Sequence, residues 1–147
     1  MKRYVLDTNL YIRADRDEDW AEEMTRFVAA FLPSLYLHGV VAQEILAGAI
    51  DAKREKLIQD SLITPFARRR RLVTPTFGAW KRAGSIMAHL IQRKVMRPGA
   101  FGRSFANDCL LAASCRMQGM ALITNNLNDF ALIRRVEDLE VLEPWPP

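Results

Sequence analysis

Short apolar runs alternate with longer stretches of helical periodicity along this chain, and that alternation limits the fold more than any other feature. Arg3-Tyr4-Val5-Leu6-Asp7, Leu35-Tyr36-Leu37, Arg71-Leu72-Val73, Ala121-Leu122-Ile123 and Leu139–Leu142 read as strands. Between the first two, Trp20, Met24, Phe27, Val28 and Phe31 recur at helical spacing until Pro33. Val40–Ile50 reads as a mostly apolar helix, and Asp51 opens another carrying Leu57, Ile58, Leu62 and Ile63 that ends before Pro65. Phe77, Trp80, Gly84, Met87 and Ile91 mark a long amphipathic helix, with Trp80 read as core. Asn9 is placed to cap the turn after the first strand, and Ser104 to cap a helix from Phe105 to Met117 with Gly119 just past its end. Phe130–Arg135 reads as a short helix. Strands separated by helices predict an α/β fold with a mainly parallel sheet covered on both faces. No repeat or linker divides the 147 residues, so a single domain over 1–147 is expected.

Half of the chain is hydrophobic, which excludes wholesale disorder. The longest apolar stretches are broken by Gln43, Glu44, Arg116 or Gly119, far short of the ~20 residues of a membrane helix. Asp7 makes the N-terminus acidic too early for a signal peptide, so a cytoplasmic protein with no membrane partner is expected. Cys109 and Cys115 lie in one helical segment, which separates them by ~9 Å along the axis and predicts reduced core thiols. His38 and His89 stand alone and read as structural or surface histidines rather than ligands.

Ligands of open parallel sheets bind beyond the carboxyl ends of the strands. Asp7 ends the first strand, and Asn125, Asn126, Asn128 and Asp129 follow the fourth, so all fall at that edge. Glu44 has Val40, Val41, Ala47 and Gly48 as its helical neighbours, and Asp108 has Phe105, Leu111 and Ala112. A carboxylate on such a face is costly to desolvate unless a cation compensates it. An arginine could be that cation for either residue alone. Several carboxylates converging on one pocket would instead raise each other's pKa, and a divalent ion would relieve this. Oxygen donors without sulfur or imidazole select Mg2+, with Mn2+ as a substitute, and such an ion activates water and neutralises charge on a phosphoryl group. Basic residues gather at Arg68–Arg71, at Arg134 and Arg135, and at Arg93, Lys94, Arg97 and Arg103 bracketing the loop leading to Asp108, although the net charge is only +4. Cations flanking an acidic centre suit a polyanion.

Four stretches, in order and covering the whole chain, resemble the PIN-domain ribonucleases, most closely the VapC-type toxins of toxin–antitoxin pairs. They are Asp7-Thr8-Asn9, the run Ala42–Gly48 around Glu44, Asn107–Ala113 around Asp108, and Leu122–Phe130. The resemblance implies a three-layer α/β/α PIN-like domain and a Mg2+-dependent endoribonuclease. By the same resemblance Asp7, Glu44 and Asp108 are catalytic metal ligands, and Thr8, Asn9, Thr124 and Asp129 support them. Asn126 stands where many relatives carry Asp; it would act through its carbonyl or by orienting water, without adding charge. Lys94, Arg97 and Arg103 are the expected RNA contacts. A cognate antitoxin, contacting the Val40–Ile63 helices, and a homodimer are the further partners implied.

Two other readings compete. One is a non-catalytic PIN-like module that binds RNA or protein, which the uncharged Asn126 favours. The other is a phosphatase with Asp7 as nucleophile, which Asn9 disfavours because it cannot transfer protons where a second Asp is needed.

Overall fold

The computed structural model describes residues 1–146. Its centre is a five-stranded, all-parallel sheet of β1 (Arg3–Leu6), β2 (Leu35–His38), β3 (Leu72–Val73), β4 (Met120–Ile123) and β5 (Val141–Leu142), in the order β3-β2-β1-β4-β5. The chain therefore steps outward from β1 to β3, then returns to β1's other side with β4. Strand order reverses between β1 and β4, and at such a switch point a crevice opens beyond the strand ends. Both strands are deeply sunk: Val5 and Leu6 of β1 and all four residues of β4 are buried. Apolar residues on both faces are what a strand covered by helices on both sides requires.

The helices complete an α/β/α sandwich: α1 (Thr8–Ala14), α2 (Glu18–Phe31), α3 (Gly39–Ala47), α4 (Ala52–Ile58), α5 (Thr64–Arg68), α6 (Phe77–Gln92), α7 (Arg103–Met117) and α8 (Leu127–Ile133). Several start where a side chain accepts a first-turn N–H: Asp17 for α2, Asp51 for α4 and Thr76 for α6. Buried Glu137 accepts two hydrogen bonds from the Arg82 guanidinium, at 3.0 and 3.2 Å, and ties the segment after α8 to α6. Both cysteines are buried and unbridged. No described helix is long and apolar enough to cross a membrane.

The structure corrects four details read from the sequence. Asp7, not Asn9, caps α1; its carboxylate accepts the Thr8 N–H, and Asn9 sits exposed within the helix. The helix opened by Asp51 does not stop at Pro65 but widens into a π-helical segment, Gln59–Ile63, and runs on as α5. Proline has no N–H to place in the regular ladder, and a local π turn accommodates it. α7 begins at Arg103 with Gly102 as N-cap, so Ser104 lies inside the first turn and makes no cap.

The buried stripe of α6 is Ala79, Ala83, Ile86 and Leu90, whereas Phe77 and Trp80 are 81% and 60% exposed. α6 lies along α7, whose segment Asp108–Cys115 is buried throughout. Two alanines at the contact let the backbones approach closely, which a tryptophan there would prevent.

Candidate active site

The crevice at the switch point collects acids from four elements. Asp7 follows β1, Glu44 comes from α3, Asp108 from α7, and Asp129 from the first turn of α8. Asp7 and Asp108 are buried, while Glu44 and Asp129 are half-buried.

A chain of hydrogen bonds links them. Thr8 donates its backbone N–H to Asp7 Oδ1 at 2.8 Å and its hydroxyl to Glu44 Oε1 at 2.6 Å. Thr124, just past β4, donates its hydroxyl to Asp7 Oδ2 at 2.7 Å and accepts the Asn126 backbone N–H at 2.9 Å. The Asn126 side-chain amide then donates to Asp108 Oδ2 and to Asp129 Oδ2, each at 3.2 Å. Asn107, adjacent to Asp108, reaches back to Glu44 Oε2 at 3.4 Å and closes the circuit. Neutral donors thus hold every carboxylate of the ring, and none of these bonds comes from an arginine or a lysine. The salt-bridge alternative considered for Glu44 and Asp108 does not occur among the described residues.

The electrostatic consequence is strong. Burial, followed by the charges of Asp7, Glu44 and Asp129, pushes Asp108 up to about 8; the Asn126 hydrogen bond only partly offsets this. Asp7 is raised as well, mainly by burial, against the donors Thr124 and Thr8. Burial and the neighbouring acids together disfavour the ionised form of Asp108, and a cation placed among them would oppose both.

The donor set is all oxygen, which suits a hard divalent cation of the Mg2+ or Mn2+ type. Among the described residues, no three acidic, histidine or cysteine side chains are already drawn to one ligating point. Hydroxyl and amide partners orient them instead.

His38 stabilises the frame. Its Nδ1 accepts the Val40 N–H at 3.1 Å, capping the helix that carries Glu44, so its proton resides on Nε2 and is donated to Ser114 Oγ at 2.7 Å, on the helix that carries Asp108. It is fully buried, and burial lowers its pKa to about 4. It is therefore a structural histidine.

Of the other residues singled out from sequence, Lys94 and Arg97 lie exposed in the α6–α7 connection, Lys94 with φ +60°. Exposed Arg103 sits one helical turn before Asn107, on the same face of α7. Asn9 makes no hydrogen bond to the acids. Sequence reasoning missed Asn107 as a site residue, although its place beside Asp108, four residues after Arg103, was available as a signal.

From Glu44 a groove leads away between α1 and α4. It starts as a cleft of about 290 Å3 lined by Ile12, Arg16, Gly48 and Arg54, and continues as one of about 480 Å3 along Tyr11, Leu57 and Ser61. A third part of about 330 Å3 reaches Phe66 and Arg69.

The family model described as PIN domain matches residues 4–136. Comparison with curated protein sequences finds no match. Among solved structures, DNA-bound VapBC from Salmonella typhimurium aligns with a TM-score of 0.72 at 19% identity, over 97% of this chain and 98% of that one. FitAcB from Neisseria gonorrhoeae gives 0.69 at 18% identity over 98% and 99% of the two chains. VapBC-1 from nontypeable Haemophilus influenzae gives 0.64 at 20% identity over 95% and 96%. At these identities the likeness is one of fold.

Proposed function

The chain belongs to the PIN-domain family, and on that footing we propose that it is a divalent-metal-dependent endoribonuclease, the VapC-type toxin of a toxin–antitoxin pair. The observation that carries this is the ring of Asp7, Glu44, Asp108 and Asp129, held by neutral donors and electrostatically incomplete without a cation. Asp7, Asp108 and Glu44 would hold Mg2+, or Mn2+ in its place. When bound, the ion would supply an activated water and offset charge on the phosphoryl group.

The protein's own residues have defined tasks in this scheme. Thr124 and Thr8 fix the rotamers of Asp7 and Glu44, and Asn126 orients Asp108 without adding a negative charge. Lys94, Arg97 and Arg103 bind phosphates on the α7 side of the crevice. Hydrolysis forms a bond from a water oxygen to phosphorus while the bond to the 3′ oxygen breaks. The water gives up one proton and the 3′ oxygen gains one, leaving a 5′-phosphate and a 3′-hydroxyl.

The same reading assigns the outer parts of the groove, along Tyr11, Leu57, Ser61 and Phe66, to a cognate antitoxin. Ile50 and Leu57, 91% and 53% exposed near its rim, are apolar surface that such a partner would cover. Assembly as a homodimer and residence in the cytoplasm belong to this proposal.

The deciding experiment compares wild-type protein with Asp7→Asn on single-stranded RNA, with and without Mg2+. Metal-dependent cleavage that is lost in a folded Asp7→Asn protein is expected; equal cleavage by rigorously purified variant removes the assignment. A non-catalytic binding module remains the second reading, favoured by the uncharged Asn126. It predicts that neither Mg2+ nor Mn2+ raises the Tm, whereas the nuclease reading requires that one does.

A further inference from the structure

Two guanidinium groups outside the acidic ring line the cleft that opens beside Glu44. Arg16 follows α1, and Arg54 comes from the first half of α4. Arg54 forms an ion pair with Asp15. Arg16 is exposed and has no carboxylate partner among the described residues. Asp15 and Gly48 also line it, and its apolar walls are Ile12, Ile45 and Ile58, which lower the local dielectric and strengthen any charge contact made there. Glu44 therefore faces two arginines it does not bond, while its own oxygens are taken by Thr8 and Asn107.

This arrangement answers a problem posed by the ring itself. Four acids repel the polyanion they are to process, so a strand crossing them has to be held through its neighbouring phosphates. Arg103 stands on one flank, a turn from Asn107, and the cleft of Arg16 and Arg54 opens on the Glu44 flank. Guanidinium groups suit a phosphodiester because their paired N–H donors match its two free oxygens. Asp15 keeps Arg54 occupied when no anion is present.

We propose that the Arg16–Arg54 cleft is a phosphate subsite for single-stranded RNA, holding the phosphodiester next to the one placed over the acidic ring. It rests on the ribonuclease reading for its ligand, and its test reads binding rather than cleavage. Arg16 makes the first contact, and Arg54 exchanges Asp15 for the phosphate. Carboxylates of an acidic peptide could also meet a guanidinium, and competition by poly-glutamate separates that occupant from RNA.

The test is fluorescence anisotropy of a labelled single-stranded oligoribonucleotide with the full chain in Ca2+, titrated with salt, with the oligonucleotide checked for integrity afterwards. Arg16→Gln and Arg54→Gln should each weaken binding about 5–10-fold at low salt and flatten the slope of log Kd against log salt by about 0.7, the value for one lost phosphate contact on a single strand. Arg16→Lys should restore the slope. Asp15→Asn should tighten binding about 2–3-fold by releasing Arg54, a gain that a merely structural arginine would not produce. Binding that is absent, or unaffected by the arginine substitutions, overturns the proposal. So does poly-glutamate that competes as well as unlabelled RNA, which would assign the cleft to a peptide. RNA bound with the predicted salt signature but never cut by wild-type protein in Mg2+ would sink the nuclease reading and leave the subsite standing. Cleavage with the arginine variants unchanged would do the reverse.

Discussion

Acid should weaken this protein through one buried imidazole. His38 has an ordinary pKa of 6.5 and about 4 in the fold, because burial disfavours the imidazolium. Its Nδ1 already faces the Val40 N–H, so a second ring proton has no acceptor. The unfolded chain thus takes up a proton near pH 6.5 that the folded chain refuses until about pH 4. Stability from this group is complete above 6.5, declines as pH falls through that window, and is fully lost below 4. A shift of about 2.5 units corresponds to ~3 kcal/mol in total, of which ~2 kcal/mol is lost at pH 5.

Asp108 runs the opposite way. Its folded pKa is raised to about 8 from 3.8, so its contribution is present at low pH and lost as pH rises through about 8. The wild-type curve therefore mixes two slopes, and a difference measurement separates them. His38→Asn removes the titrating ring but keeps an oxygen to accept the Val40 N–H. Urea unfolding of both proteins at pH 7 and pH 5, in EDTA, should show wild type losing ~2 kcal/mol more than His38→Asn over that interval. Equal losses would show that the imidazole does not resist protonation, and the account of the clip between α3 and α7 would go with it.

Three further outcomes follow from the packing around the site. Asp108→Asn should abolish metal-dependent cleavage yet raise the stability of the metal-free protein at pH 9 by about 2 kcal/mol, because it removes a buried charge from beside three others; a loss of stability in EDTA would contradict this. Glu137→Gln should cost about 2–3 kcal/mol in denaturant unfolding, since Arg82 would lose its charged, bidentate partner, but less than a fully sealed pair because Arg82 is partly in water. Gly84→Ala should stabilise by about 0.5–1 kcal/mol, visible as a higher Tm, because an added Cβ meets nothing within 4 Å and only helix propensity changes.

The order of elements and the positions of the acids were legible from sequence because both rest on local signals. A strand ending in Asp7 and helices of apolar residues interrupted by Glu44 or Asp108 need no tertiary knowledge to be noticed. What the sequence concealed was settled between elements. Asp7 and Asn9 are both competent caps, and only the link from Asp7 through Thr124 to the fourth strand selects the first. The face of α6 was misjudged because bulk was weighed over fit: Phe77 and Trp80 are the larger apolar groups, yet the buried face carries Ala79 and Ala83. Arg16 and Arg54 lie on separate helical segments, and nothing in their spacing announces that they share a cleft with Glu44.

The sheet finishes on both sides in strands of two residues, β3 and β5, each already paired along its inner edge. Little unpaired backbone is left there for another chain to extend. Such margins give poor templates for self-stacking, which protects the molecule when it is made in excess of whatever binds it. On the proposed toxin–antitoxin reading, they also mean that a partner would have to recognise it by the shapes and charges of its side chains rather than by extending the sheet.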